Sequence, residues 1–591
     1  MRPSVALLPA VGIVALLFAA ALPAQDNSAG KPVAPASAGS SQGATGQVSV
    51  GGQPVQNPDP GSHTGAHPLR ATTRAVQVNV IVQDKSGNPI SDLTKADFTV
   101  YDNKKPREVR TFSVLTTKAD GVTAAPPKLF PDTYANRVQN REGVPNSITI
   151  VLFDALNTPL ADQFYARKQI IKFLEKQIQP QDRIALYTLG QKLHVLHDFT
   201  SDTPSLLAAL AKYEGQLNPQ LAASTPEVSN TGLPQKDAFL NFVYHDEANQ
   251  RITDRVSRTI LAMREIADHV AAVPGRKNLV WVSGSFPFSV GFNGEENAPQ
   301  IDQRLVFVKE IETASQALTN ANVAVHPVDA RGLMTPSLQI DSGAGDLLGG
   351  ASVSDPTGSF QGPDVANFQT METLAQQTGG RAFYNTNDVK GAIRRAIDDS
   401  RVTYELTFYP EDIKWDGSFH SLRVEVKRKG AAVHSRKGYF AVPEPDLTPK
   451  LRQQVIAETA LSPLEATGIG VVAQVHVEDP ADHQAMKVLI GFDPREFSLQ
   501  LTDGLWRGSA ECVTLQLDDA NKIIASTDET IRLHLDPAAY EKASKEGMAY
   551  ARLIRVKPNA VQMRVVLRNP ANGNIGDVSV PFAKYFPAKT N

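Results

Sequence analysis

At 591 residues the chain is too long for a single hydrophobic core, and the usual domain size predicts three or four folded units. With 41% hydrophobic and 20% charged residues, its composition is that of a folded protein, not of a disordered or fibrous one. A formal net charge of -3 and the lack of a long basic run argue against nucleic acid as a partner, because phosphate binding needs a concentrated cationic surface.

The chain opens with Arg2, an almost unbroken apolar run over 5–22, and Leu22-Pro23-Ala24, the pattern of a cleaved export signal over 1–24. No second run is long enough to span a bilayer, so no integral membrane segment is expected after cleavage. The expected location is periplasmic, outer-surface or secreted. Cys512 is the sole cysteine, so no internal disulfide can form, and its strand-like surroundings predict a small core residue. Residues 25–72 are rich in Gly, Ser, Ala, Pro and Gln, and read as a disordered tether.

Residues 73–115 read as a small β unit, with alternating strands at 76–82, 98–101 and 109–114. A Pro-containing linker follows over 116–146. From 147 to 400, strands alternate with helices. Strands are expected at 147–153, 183–189, 277–283, 323–328 and 381–384, and helices at 161–178, 204–213, 248–273, 301–321, 367–378 and 388–400. Residues 214–247 read as an irregular polar insertion, and 330–366 as a loop. This alternation predicts an α/β fold with a doubly wound, mainly parallel sheet. A β extension is expected over 401–443, and a C-terminal all-β sandwich over 463–587.

The most informative stretch is Ser147-Ile-Thr-Ile-Val-Leu-Phe-Asp-Ala-Leu-Asn-Thr158. A buried strand runs into a loop carrying Asp154, Asn157 and Thr158. Ligands of open α/β sheets sit where such strands end, and these oxygen donors suit a hard cation. His194 and His197 project to opposite faces of one strand, which argues against a zinc pair. Ser283-Gly-Ser285 lacks the Gly-x-Ser-x-Gly pattern of a nucleophile elbow.

The Leu152-Phe-Asp-Ala-Leu-Asn-Thr-Pro159 loop resembles that of a von Willebrand factor A domain, more closely the exported VWFA-related acidobacterial branch. So do Asp182-Arg-Ile-Ala-Leu186, the run from Pro274 through Ser283 to Pro287, Val328-Asp-Ala-Arg-Gly332, and residues 76–112 and 374–384. The resemblance covers roughly 75–443. It implies a Rossmann-like sheet with a metal-ion-dependent adhesion site at its C-terminal edge, where a partner's acidic side chain completes the coordination of Mg²⁺ (or Mn²⁺ or Ca²⁺). Asp154 matches the first ligand and Thr158 the second hydroxyl. Thr253 and Ser283 stand for the ligands of the other two loops, and Leu156 occupies a position that should carry a hydroxyl. Asn157, Ser285 and Asp329 would then face the partner. The residues also admit a metal-free reading, in which Asp154 and Thr158 cap the loop and first helix and Asp329 caps the Arg331-Gly332 turn. The expected function is protein binding, in adhesion or assembly, and not catalysis. The alternatives are a metal-free envelope scaffold and, more remotely, a hydrolase.

Overall fold

The computed structural model describes residues 48–50, 53–55, 75–116, 130–137, 147–179, 182–218, 221, 229–286, 308–333, 363–410, 414–441, 448–477 and 485–586. The expected export signal over 1–24 lies outside these residues, as does most of the expected tether.

The α/β unit runs β1 Ile148–Asp154, α1 Leu160–Lys176, β2 Ile184–Leu189, β3 Leu193–Thr200, α2 Thr203–Ala211 and α3 Pro234–Val270. It continues with β4 Lys277–Ser283, α4 Val308–Asn320, β5 Val323–Asp329, α5 Pro363–Thr378 and α6 Val389–Asp398. The strand order is β3-β2-β1-β4-β5. β1 pairs in parallel with β2 and β4, β4 pairs in parallel with β5, and only the edge strand β3 is antiparallel. A parallel bridge from Val328 to Phe383 stands where a sixth strand was expected.

Side chains alternate across the sheet, so β1 feeds two cores. Ile148, Ile150 and Leu152 join Val256, Met263, Leu318 and Met371 on one face. Val151 and Phe153 join Ile170, Phe173, Leu206 and Ile393 on the other. Each fully buried side chain of this size contributes about 1.5–3 kcal/mol relative to exposure. The near-continuous apolar run of β1 has this cause: helices cover both of its faces, and the fold of the unit is α/β.

Helix α3 begins at Pro234, well inside the stretch expected to be an irregular insertion. Pro suits the first helical turn, and the Ser229 and Thr231 hydroxyls donate to Asp237 there. The first turns carry no core-facing stripe, since Phe239 and Phe242 are 66% and 71% exposed. Hydrophobic periodicity therefore could not reveal them.

Residues 73–115 and 401–443, expected as separate pieces, form one unit. Val402–Phe408 pairs with Val76–Gln83 and with Thr111–Thr116, and Phe419–Val426 pairs with Phe98–Asp102. Val78, Val80, Val100, Tyr404, Leu406 and Phe408 share its core. The α/β unit is thus inserted between the two halves of a β unit.

Beyond residue 448, two antiparallel sheets contribute to a common core that includes Val488, Ile490, Cys512, Val565 and Val580. Burial pushes the Cys512 thiol up to about 12, so it is a core residue and not a reactive thiolate. Helices Pro449–Leu461 and Pro537–Glu546 were not expected. Thr133–Ala135, from the expected linker, pairs with Val472–His476. Val48–Val50 and Gln53–Val55, from the expected tether, form a hairpin against Met548–Arg555. Among the described residues, no helix is long and apolar enough to cross a membrane.

Candidate functional site

β1 and β4 end side by side, and their loops carry the residues singled out from sequence. Phe153 is in register with Val282, so Asp154 and Ser283 close their strands together. Gly284 lets the loops meet: a Cβ there would lie 3.2 Å from the Thr158 Cα, while its N–H donates to Thr158 Oγ1 at 2.8 Å.

Asp154 is fully buried, and burial raises its pKa. Four donors offset that cost. Oδ1 accepts from the Asn157 backbone N–H at 3.0 Å. Oδ2 accepts from Asn157 Nδ2 at 2.8 Å, Trp281 Nε1 at 2.9 Å and Ser283 Oγ at 2.9 Å. The Asn157 amide then faces the other way. Its Oδ1 accepts from Arg255 Nε at 3.0 Å and Nη2 at 2.9 Å, and its Nδ2 also donates to Thr259 Oγ1 at 3.0 Å. Arg255 Nη2 donates to Ser285 Oγ at 3.2 Å. A carboxylate and a guanidinium are therefore joined through one amide, whose orientation both of them dictate. Burial lowers the Arg255 pKa, and the charge on Asp154 opposes that shift.

This donor set does not fit a divalent cation. Both Asp154 oxygens are already engaged by protein donors. Leu156 packs into the core where a hydroxyl ligand was implied. Arg255, itself 5% exposed, places a positive charge in the same network. A dication would have to displace those donors and sit beside a buried guanidinium.

Asp154, Asn157, Thr158, Ser283 and Ser285 are brought together, as the resemblance implied, but their roles differ from those expected. Thr253 is exposed on α3, and the hydroxyl of that helix which meets Asn157 belongs to Thr259. Six residues along a helix is neither the same face nor the same height. Asn157 and Asp329, expected to face a partner, are 0% and 1% exposed. Asp329 instead caps its own turn: Oδ1 accepts from the Arg331 N–H at 2.9 Å, and Oδ2 from Arg331 Nη2 at 2.8 Å. Sequence reasoning missed Arg255, Thr259 and Trp281. One signal was present: Arg255 falls on the apolar face formed by Ile252, Val256 and Ile260, where an unpaired charge is not tolerated.

No family model matches the chain, and no curated protein matches it. Among solved structures, it is similar to an aerotolerance-related membrane protein from Bacteroides fragilis, at 14% identity over 43% of this chain and 98% of that one, with a TM-score of 0.21. It is also similar to the SpRpn10 VWA domain, at 16% identity over 31% of this chain and 75% of that one, with a TM-score of 0.15. A third likeness is to a von Willebrand factor type A protein from Catenulispora acidiphila, at 8% identity over 80% of this chain and 71% of that one, with a TM-score of 0.23. With TM-scores below 0.5, these likenesses carry no argument about what the chain binds.

Proposed function

We propose that this is an exported protein-binding protein, acting in adhesion or assembly, whose doubly wound, von Willebrand A-like sheet presents its C-terminal rim to a protein partner without a divalent ion at Asp154. The observation that carries this reading is the first half of α3. Arg255 and Thr259 anchor the helix at the rim, and the helix continues from there back to Pro234. At 1.5 Å per residue that stretch is roughly 30 Å long. It bears Phe239 and Phe242, both largely exposed and one helical turn apart on the same side. Buried aromatic anchors dominate protein interfaces, and exposed aromatic pairs mark where one forms. A partner's acidic side chain has no ion to complete at this rim, so the contact proposed is aromatic.

The test is affinity capture from the producing cell's envelope and medium, with and without chelator. Phe239→Ala/Phe242→Ala should lose the captured partner, and chelator should change nothing. Capture that chelator abolishes and Mg²⁺ restores would reinstate the metal version.

The spacer reading draws on a separate observation. The C-terminal unit is tied to α3, through His269 Nδ1 and the Glu465 carbonyl at 2.7 Å and through the Arg264–Glu458 ion pair. Undiminished capture by the Phe239/Phe242 variant would favour it. For the hydrolase reading, the partners of the Ser283 hydroxyl are Asp154 and the Ser285 carbonyl, not an imidazole.

A further inference from the structure

The C-terminal unit holds a cavity of about 550 Å³, within the usual size range of small-molecule sites. It lies at one end of the sheet that contains Thr133–Ala135, Val472–His476, Ala485–Phe492 and Met548–Arg555. Ala135, Val472, Gly491 and Ala549 stand opposite one another in register across these four strands, so they share one face. The next row, with Ala473, Ile490 and Tyr550, belongs to the core of the unit. The four small residues therefore face away from that core, and all four line the cavity. Three strand spacings make this floor roughly 14 Å wide.

Gly491 is the informative member. Glycine within a strand weakens it, and it marks a bulge, a sharp bend or the close approach of another group. No bulge is present, because both neighbouring strands pair across residue 491 without a shift in register. The backbone does not demand glycine either, since Gly491 is not among the residues of positive φ. A Cβ there would meet the Val472 Cβ at 3.5 Å and two backbone oxygens at 3.7 and 3.8 Å, all ordinary contacts. What the missing side chain leaves is room above the middle of the floor.

The walls carry the charge. Arg137, Asp493 and Glu546 line the cavity. Arg137 pairs with Glu496, and Asp493 with Arg495. Glu496 also accepts from the Gly470 N–H at 2.8 Å, and a Cβ on Gly470 would lie 2.8 Å from the Arg137 guanidinium carbon, so this pair is seated against bare backbone. Glu546 has no such partner among the described residues. It is the last residue of the helix Pro537–Glu546, where the terminal carbonyls add negative partial charge. Three carboxylates thus stand against two guanidiniums, and the unopposed one is Glu546.

We propose that this cavity binds a small primary amine, its apolar body lying over Gly491 and its ammonium group at Glu546. The test is isothermal titration of the full chain at neutral pH with 2-phenylethylamine, 2-phenylethanol and 3-phenylpropionate, which carry a cationic, a neutral and an anionic group on similar bodies. Binding should weaken in that order, by about tenfold or more between the amine and the acid. This comparison needs no variant to fold. Glu546→Gln should bring the amine down to the level of the alcohol. Gly491→Ile should abolish binding of all three while its melting midpoint stays at or above that of the wild type, since a β-branched residue suits a strand. Three outcomes would overturn the proposal: equal binding of amine and acid, undiminished binding by a folded Gly491→Ile chain, or no binding of the amine up to about 10 mM.

Discussion

The two edges of one sheet handle buried charge in different ways. At the rim, Arg255 and Asp154 carry opposite signs, Asn157 joins them, and the surrounding polar atoms have protein partners. At the far edge, Arg276 is as deeply buried, but its Nη2 donates to the Gly379 carbonyl, and the carboxylate whose charge opposes it, Asp399, pairs with Arg381 instead. Burial alone therefore does not decide how a charge is held. What differs is whether the opposing charge is tied in through a shared hydrogen-bonding group or acts only through space.

The sharpest way to break the rim half of the contrast is Asp154→Ala. It strands a buried guanidinium and frees three side-chain donors, and should cost about 3–5 kcal/mol by calorimetric or urea unfolding. An Asp154→Ala/Arg255→Met pair should recover part of that loss in a double-mutant cycle, because the two sites share Asn157. Unfolding indistinguishable from wild type in Asp154→Ala would mean that the network is not what holds the rim.

Trp281→Phe is a milder cut. It keeps an aromatic ring beside Phe286, whose centroid lies 4.6 Å from that of Trp281, but removes the Nε1–H donor to Asp154 together with the volume of the fused ring. The hydrogen bond to a charged group accounts for about 1.5–3 kcal/mol of the expected loss, and the cavity adds to it.

Acidity offers a third test, because the C-terminal part of α3 and the first residue of β4 hold burial-shifted groups. Burial raises Glu265 from 4.5 to about 7. The folded chain then holds this proton more tightly than the unfolded one, so its contribution to stability is fully present below about pH 4.5 and is lost as pH climbs to 7. Burial lowers Lys277 from 10.5 to about 7. Here the unfolded chain binds the proton more tightly, so stability recovers as pH rises from 7 towards 10.5. The melting midpoint should pass through a minimum near neutrality. Glu265→Gln should flatten the acid limb, and Lys277→Met the alkaline one.

The smallest expected effect on stability is that of Phe239→Ala/Phe242→Ala, within about 0.5 kcal/mol because both rings are exposed. Its consequence should appear only in partner capture. A large loss of stability would mean that these rings are packed in solution.

Much of this was legible in the chain, for identifiable reasons. The apolar run of β1 and the apolar stripe at Ile170, Phe173 and Leu174 report burial directly, and the loops after β1 and β4 converge because parallel strands end together. What escaped was information carried by pairs of distant residues. Arg255 is visible as a charge on an apolar face, but its partner, Asn157, lies 98 positions away. The union of residues 73–115 with 401–443 depends on strand pairing, which local periodicity does not encode. The start of α3 escaped because exposed aromatics break the pattern that marks a core-facing helix. The position of Thr253 failed for a related reason: an alignment across a misread insertion loses helical phase.

The insertion has a consequence for how the chain is made. Val76–Gln83 cannot find its neighbour Val402–Phe408 until more than three hundred further residues have been translated. At 5–20 residues per second, that is a wait of roughly 15–60 s, during which a nascent apolar strand has no mate. Its edge must be kept from cross-pairing with other chains until the α/β unit brings the ends together, so this clasp is the last part of the first two units to shut.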